Sequence, residues 1–219
     1  MQGTPLPTLV FDMDGVLLES VQRKLQAMLS IFPANDRSRL QPVVLSLSGV
    51  PRRPKLQLIF TAAFGRAPKE RELELAVASY EAQLGYFAAQ KANIVKGVVS
   101  FLRDSKTQSY VASSAPKDEV VDQLSHAGLL HYFSAVFGSP TTKTQALCEV
   151  RRRHPSGDIV FFGDALADQD AAKSAGVAFV GVTAESNQFS DQSVTTIPHF
   201  ADMTIVEAAI RLALCVDAD

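Results

Sequence analysis

Five short apolar runs constrain the fold of this chain more than any other feature of its sequence. Within each run the apolar residues follow one another instead of alternating with polar ones, which is typical of strands in a parallel sheet covered on both faces. Segments with helical spacing lie between the later runs, and helices are predicted over 142–153 and 168–175. Strands that alternate with helices predict an α/β fold with a doubly wound, Rossmann-like parallel sheet. The runs are Thr8–Phe11, Ser109–Ala112, Ala135–Phe137, Ile159–Phe162 and Ala178–Val182.

Residues 17–92 interrupt this alternation after the first predicted strand. They contain no convincing strand pattern, and apolar residues such as Leu73 and Val77 recur at helical intervals. We therefore predict that residues 1–16 and 93–219 form the Rossmann-like core, and that 17–92 form a helical domain inserted into it.

The insert contains the segment SGVPRRPK, residues 48–55. Its glycine and prolines favour a loop. Arg52, Arg53 and Lys55 in this segment are candidate contacts for an anionic substrate, and a solvent-facing loop accounts for them equally well.

The composition disfavours several classes of partner. Hydrophobic residues make up 47% of the 219 residues and charged residues 20%, as in an ordinary soluble globular protein. The formal net charge is -2 without a long basic run, so we expect neither nucleic acid nor a membrane surface as a partner. Two cysteines in no paired motif and the lack of a signal pattern favour a cytoplasmic protein. The sequence leaves the oligomeric state open between a monomer and a small homo-oligomer.

Polar side chains follow four of the five predicted strands. The carboxyl ends of the strands in an open α/β sheet are where ligands bind, so we expect these side chains to share one site. Each side chain, taken singly, can be explained without a functional site, because a serine can cap a helix, a lysine can face solvent and an aspartate can begin a helix. Four suitable strand ends in order favour a site. Its candidates are Asp12 and Asp14 after the first strand, Ser113 and Ser114 after the second, Lys143 after the third, and Asp164 and Asp168 after the fourth.

Asp12 is the most informative of these residues because it lies within the apolar run LVFDMDGVLL. A buried carboxylate is costly unless it is paired or bound to a metal. A hard divalent cation such as Mg2+ takes oxygen ligands, which Asp12 and Asp164 would supply. A carboxylate can also attack phosphorus to give an aspartyl-phosphate, while a second carboxyl donates a proton and later activates water. The set therefore suits phosphoryl transfer.

These residues lie in segments that resemble motifs of the haloacid dehalogenase superfamily of phosphatases. FDMDGVLLES is similar to the nucleophile motif, VASS to the second motif and GDALADQDAAKSAG to the acidic fourth motif. The insert at 17–92 lies where that family carries its helical cap of the first type. The resemblance implies a catalytic core, a cap domain and a Mg2+-dependent phosphatase.

The resemblance also implies roles for the residues that react with or bind the phosphoryl group. Asp12 would be the nucleophile and Asp14 the general acid and base. Ser113, Ser114 and Lys143 would hold phosphate oxygens.

Metal ligands follow from the same resemblance. The Asp12 side chain, the Asp14 backbone carbonyl and Asp164 would hold Mg2+. Asp168 would orient Lys143 or a metal-bound water.

The third motif departs from the pattern of many capped relatives, which carry Lys-Pro-x-Pro-Asp there. This chain has SPTTKTQAL instead, whose lysine is Lys143. Other branches of the family place a bare lysine at the start of that helix, so Lys143 is the best candidate and Lys173 the alternative.

The function predicted from the sequence is hydrolysis of a small phosphorylated metabolite, of the phosphoglycolate or sugar-phosphate type. A phosphosugar mutase would use the same motifs. A haloalkanoic dehalogenase would not need Asp14, and a phosphonate hydrolase would need a Schiff-base lysine such as Lys55, Lys69 or Lys91. A non-catalytic phospho-acceptor of the receiver class is disfavoured, because such domains are shorter and lack a helical insert.

Overall fold

A computed structural model describes residues 7–88, 93–155, 157–185, 189 and 193–216. The chain divides into two compact units. The first is formed by Met1–Glu19 with Ala92–Asp219, and the second by Ser20–Lys91.

The first unit is built on a parallel sheet of six strands in the order β3-β2-β1-β4-β5-β6. This confirms the predicted doubly wound α/β fold, and the five predicted strands are all present. The sixth strand was not predicted, because two residues leave too short a pattern to detect. The strands are β1 Thr8–Phe11, β2 Ser109–Pro116, β3 Ala135–Ser139, β4 Ile159–Gly163, β5 Ala178–Val182 and β6 Thr196–Ile197.

Five α-helices and a short 3-10 helix, Leu130–Tyr132, accompany the sheet in the described part of this unit, and two hydrophobic clusters cover its two faces. On β1, Leu9 and Phe11 join one cluster while Val10 joins the other, because successive side chains of a strand point to opposite faces. The Phe11 ring stacks on Phe162 of β4, with centroids 5.1 Å apart. The helices are α5 Val98–Ser105, α6 Lys117–His126, α7 Lys143–Arg153, α8 Leu166–Ala175 and α9 Met203–Val216.

In its described residues the second unit consists of helices joined by short turns, and it has a core of its own, which includes Phe32, Leu40 and Leu56. The apolar residues inferred to form helical faces, such as Leu73, are buried in that core. Phe32 and Phe60 meet edge to face within it, with ring centroids 5.2 Å apart. The helices are α1 Val21–Ser30, α2 Ala34–Ser46, α3 Arg52–Phe64 and α4 Glu70–Ala88.

The segment SGVPRRPK is not a loop throughout, contrary to the prediction. Helix α3 begins inside it at Arg52, after Pro51. Pro54 lies in the first turn, where backbone N–H groups have no partner within the helix and proline is tolerated. Arg52, Arg53 and Lys55 are therefore helical residues.

None of the helices in the described residues is long and apolar enough to cross a membrane.

Candidate active site

Asp12 lies directly after β1, between the ends of the two neighbouring strands. β1 pairs with β2 on one side and β4 on the other, and the Asp12 N–H donates to the Phe162 carbonyl oxygen at 2.8 Å. The side chain is buried, with 4% of the residue surface exposed. The fold thus places the carboxylate at the carboxyl edge of the sheet, close to its centre.

Lys143 reaches this carboxylate from the first position of α7. Its Nζ lies 3.0 Å from Asp12 Oδ1 and also donates a hydrogen bond to Asp168 Oδ1. Only 8% of Lys143 is exposed. The ammonium is therefore shared between two buried carboxylates.

A capping box fixes the start of the helix that carries Lys143. The Thr142 hydroxyl accepts a hydrogen bond from the Gln145 N–H, and the Gln145 side chain accepts one from the Thr142 N–H. The sequence analysis did not use this feature, although the Thr-x-x-Gln spacing in TKTQ is its signal.

Asp168 is fully buried and both of its carboxylate oxygens have partners. Oδ1 accepts from Lys143, and Oδ2 accepts from the Ala165 N–H at 3.2 Å. The second bond closes the first turn of α8 back on the residue before it, so Asp168 joins the start of α8 to the lysine of α7.

Three carboxylates of this site are close enough to hold a metal ion. One oxygen atom from each of Asp12, Asp164 and Asp168 lies within 4.8 Å of the others, and all three residues are buried. Oxygen donors of this kind suit a hard divalent cation. Both oxygens of Asp168 already accept hydrogen bonds, from Lys143 and from the Ala165 N–H, so Asp12 and Asp164 are the more available ligands.

The electrostatics of the cluster show an excess of negative charge. Burial raises the pKa of Asp12 to about 7 from an ordinary value of 3.8, against the opposing effect of Lys143, and Asp168 and Asp14 raise it further. Burial, with Asp12 and Asp168 beside it, raises the pKa of Asp164 well above its usual range. Burial alone would lower the pKa of Lys143, but Asp12 and Asp168 together hold that pKa above its usual range.

Asp14 is half-buried at the turn that follows β1. The next residue, Gly15, has a φ of 75° and donates from its N–H to the Leu18 carbonyl at 2.8 Å. That conformation favours glycine, which explains the Asp-Gly pair at this position. Asp14 is close enough to Asp12 to affect its pKa.

The two serines lie within β2, beyond the residues that pair with β1. The Ser113 side chain is buried, and its hydroxyl accepts a hydrogen bond from the Ala115 N–H at 3.2 Å. Ser114 is half-buried. Their strand is the immediate neighbour of the one that carries Asp12.

The three basic residues proposed to contact substrate belong to the second unit. Arg52 pairs with Glu81 of α4 at 2.8 Å, and Arg53 pairs with Glu70 at the start of the same helix. Lys55 is half-buried on α3. Two of the three thus connect helices of their own unit, and a role in specificity stays a prediction.

Lysines considered for other roles differ from Lys143 in exposure. Lys173 is exposed on α8, and Lys69 is exposed at the residue before α4. Lys91 lies outside the described residues. Among the lysines named as candidates, Lys143 is the one that the structure buries against carboxylates.

Residues 9–182 match the sequence profile described as "Haloacid dehalogenase-like hydrolase", which spans well over half of the chain. The chain belongs to this family. The match confirms the resemblance seen in the motifs and the expectation of a hydrolase.

The three relatives described next share less than a quarter of their aligned residues with this chain. A curated protein of Thermotoga maritima named "Phosphorylated carbohydrates phosphatase" is 22% identical over 179 residues, covering 78% of this chain and 82% of that protein.

Two solved structures share the fold. One is described as a predicted phosphoglycolate phosphatase from Haemophilus somnus, with a TM-score of 0.75, 21% identity and coverage of 94% of this chain and 99% of that one. The other is a β-phosphoglucomutase from Clostridium difficile, with a TM-score of 0.74, 17% identity and coverage of 96% and 99%.

Proposed function

We propose that this protein is a Mg2+-dependent phosphatase that hydrolyses a small phosphorylated metabolite through an aspartyl-phosphate on Asp12. The observation that carries the proposal is the buried Lys143 ammonium 3.0 Å from the Asp12 carboxylate, at the edge of the sheet where ligands bind. A fixed positive charge beside a carboxylate can orient it for attack and can also stabilise the charge of a phosphoryl group.

In the first half of the proposed reaction, Asp12 attacks the phosphorus atom. An oxygen–phosphorus bond forms to Asp12 as the ester bond breaks, and Asp14 donates a proton to the leaving oxygen. Lys143 and the serines at the end of β2 bind the non-reacting phosphoryl oxygens. In the second half, a water oxygen forms a bond to phosphorus as the oxygen–phosphorus bond to Asp12 breaks, Asp14 accepts the proton of that water, and inorganic phosphate leaves.

The donor set fits Mg2+. Asp12 and Asp164 are buried carboxylates whose pKa values are raised by burial and, in addition, by the neighbouring carboxylates. These two side chains and the Asp14 carbonyl would hold the ion, which when bound would neutralise charge on the phosphoryl oxygens.

The proposed substrates are phosphoglycolate or a sugar monophosphate. The Thermotoga maritima relative is named for phosphorylated carbohydrates, and the Haemophilus somnus protein for phosphoglycolate, which supports this class. A phosphosugar mutase is the second candidate, supported by the fold shared with the Clostridium difficile enzyme. Such an enzyme would return the phosphoryl group to a sugar instead of transferring it to water.

The test is phosphate release from a panel of small phosphate esters with Mg2+, repeated with EDTA. We compare the wild type with Asp12→Asn and with Asp170→Asn, which makes the same change at an exposed position of α8. We expect many turnovers from the wild type and Asp170→Asn, none above background from Asp12→Asn, and none with EDTA.

Other outcomes would replace the proposal. Turnover by Asp12→Asn would refute the nucleophile. Release that stops at one equivalent would indicate a phospho-acceptor. Interconversion of sugar-phosphate isomers without phosphate release, followed by 31P NMR, would establish the mutase.

A further inference from the structure

Gly163 is the last residue of β4, and its backbone conformation does not require a glycine. It is not among the residues with positive φ, and it pairs regularly with Gly181 of β5. Glycine weakens a strand, and in a strand it often marks a place where another group approaches closely. The lack of a side chain at Gly163 must therefore leave space for another group.

The group that occupies the space is the side chain of Asp168. A Cβ atom added to Gly163 would lie 2.4 Å from Asp168 Cβ, 2.8 Å from its Cγ and 2.9 Å from its Oδ2. Contacts this short do not occur between such atoms, so one side must move. Asp168 Cβ is attached to the first turn of α8, and rotation of the side chain cannot move it away.

Asp168 connects this contact to the nucleophile. Its Oδ2 accepts from the Ala165 N–H, its Oδ1 accepts from Lys143 Nζ, and that Nζ lies 3.0 Å from Asp12 Oδ1. Displacement of Asp168 would therefore be transmitted through the lysine to the attacking carboxylate.

We infer that Gly163 is a positioning residue of the active site: its missing side chain lets Asp168 lie against the end of β4, from where Asp168 holds Lys143 on Asp12. Gly163 touches no substrate in this role and acts through Asp168. The inference rests on the proposed function for its effect on turnover, but not for its effect on the ion pair.

The test compares Gly163→Ala with Gly181→Ala. Gly181 is the residue paired with Gly163 on the adjacent strand, and its added Cβ would also be crowded, at 2.7 Å from Phe189 Cδ2 and 3.1 Å from Thr196 Cγ2. The two variants thus make the same change at the same level of the sheet, and one of them presses on Asp168.

We expect Gly163→Ala to lower kcat by about 10²-fold, the cost of a displacement of about 1 Å in a catalytic group, with a smaller change in KM. Gly181→Ala should keep kcat within about threefold of the wild type, since crowding there reaches no residue of the site. Equal losses of kcat in the two variants would overturn the inference.

A double-variant cycle separates positioning from a general loss of stability. Asp168→Gly removes the Cβ that the new methyl group would strike. Adding Gly163→Ala to Asp168→Gly should change kcat by less than about twofold if Gly163 acts only through Asp168, whereas independent effects would multiply. A further 10²-fold loss in that background would overturn the inference.

A crystal structure of each variant gives a readout that does not depend on activity. The hydrogen bond from Lys143 to Asp168 should be broken in Gly163→Ala and kept in Gly181→Ala. If the wild type hydrolyses no ester and this difference is nevertheless seen, the positioning role stands and the phosphatase proposal fails. An intact bond in Gly163→Ala would refute the positioning role whatever the activity.

Failure of Gly163→Ala to fold would also be informative. The double variant with Asp168→Gly should then fold, with the melting temperature of Asp168→Gly alone, because the clash has been removed. A double variant that remains unfolded would overturn the inference.

Discussion

Replacing Lys143 by methionine removes a charge from the centre of the site while keeping a side chain of similar length. Lys143 is the partner of both Asp12 and Asp168. Two ionised carboxylates no more than 4.8 Å apart repel by at least about 3.5 kcal/mol at an effective dielectric constant of 20, so the remaining acids cannot easily stay charged together. Breaking a buried ion pair by removing one partner costs about 3–5 kcal/mol.

The stability lost in Lys143→Met should depend on pH, and the direction of this dependence follows from the pKa of Asp12. The folded state holds that proton up to a pH of about 7, whereas an ordinary aspartate releases it near 3.8. Ionisation of Asp12 therefore destabilises the folded state. This cost is absent below pH 3.8 and grows as the pH rises to about 7. Lys143 has a raised pKa and stays protonated in both states between pH 5 and 8, so it adds no pH dependence in this range.

We therefore expect Lys143→Met without metal to be destabilised more at pH 8 than at pH 5. For a chain of this length, 3–5 kcal/mol corresponds to a melting temperature lower by about 6–20 °C at pH 8. At pH 5 the loss should be less than half of that, since the carboxyl groups can take up protons. Differential scanning fluorimetry in EDTA at the two pH values measures both numbers.

Lys173→Met is the matched control, because Lys173 is exposed on α8. It should shift the melting temperature by no more than about 2 °C at either pH. Equal losses for Lys143→Met at pH 5 and pH 8, or a loss no larger than that of the control, would refute the argument that the lysine compensates buried negative charge.

Two further predictions concern the metal and the general acid. Mg2+ at about 100 times its Kd should stabilise the wild type by about 2.7 kcal/mol and raise its melting temperature by about 5–11 °C. Asp164→Asn should lose most of that shift. An unchanged shift in the variant would exclude Asp164 as a ligand. Asp14→Asn should lower kcat by about 10²–10⁴ while keeping the Mg2+-induced shift, and a wild-type rate in a phosphate-release assay would remove Asp14 from the mechanism.

The sheet could be predicted because its strands are continuous apolar runs, and β1 and β5 have the predicted bounds. The start of α3 could not, since Pro51 and Pro54 are typical of loops as well as of the first turn of a helix. A proline alone does not distinguish a loop from the first turn of a helix, because in neither case does its missing N–H remove a backbone hydrogen bond.

The candidate site could be predicted as a set of strand ends, but its internal contacts could not. Nothing local in the sequence shows that Lys143 is buried or that Asp168 lies against it, because that contact depends on how α7 packs beside α8. The same applies to Gly163, which follows an apolar strand and could as well be a turn residue. Its close approach to Asp168 is visible only in three dimensions.

The position of Lys143 is unfavourable for folding in two respects, which indicates that the lysine has a chemical role in the site. A cation at the first turn of a helix faces the positive end of the helix dipole, and a buried ammonium loses its hydration. The carboxylates of Asp12 and Asp168 compensate for both effects, yet apolar residues of similar volume often stabilise a protein as well or better than a buried ion network. A cation kept at such a place is therefore explained by chemistry more readily than by stability. An ammonium held beside a nucleophilic carboxylate is what the proposed attack on a phosphoryl group requires.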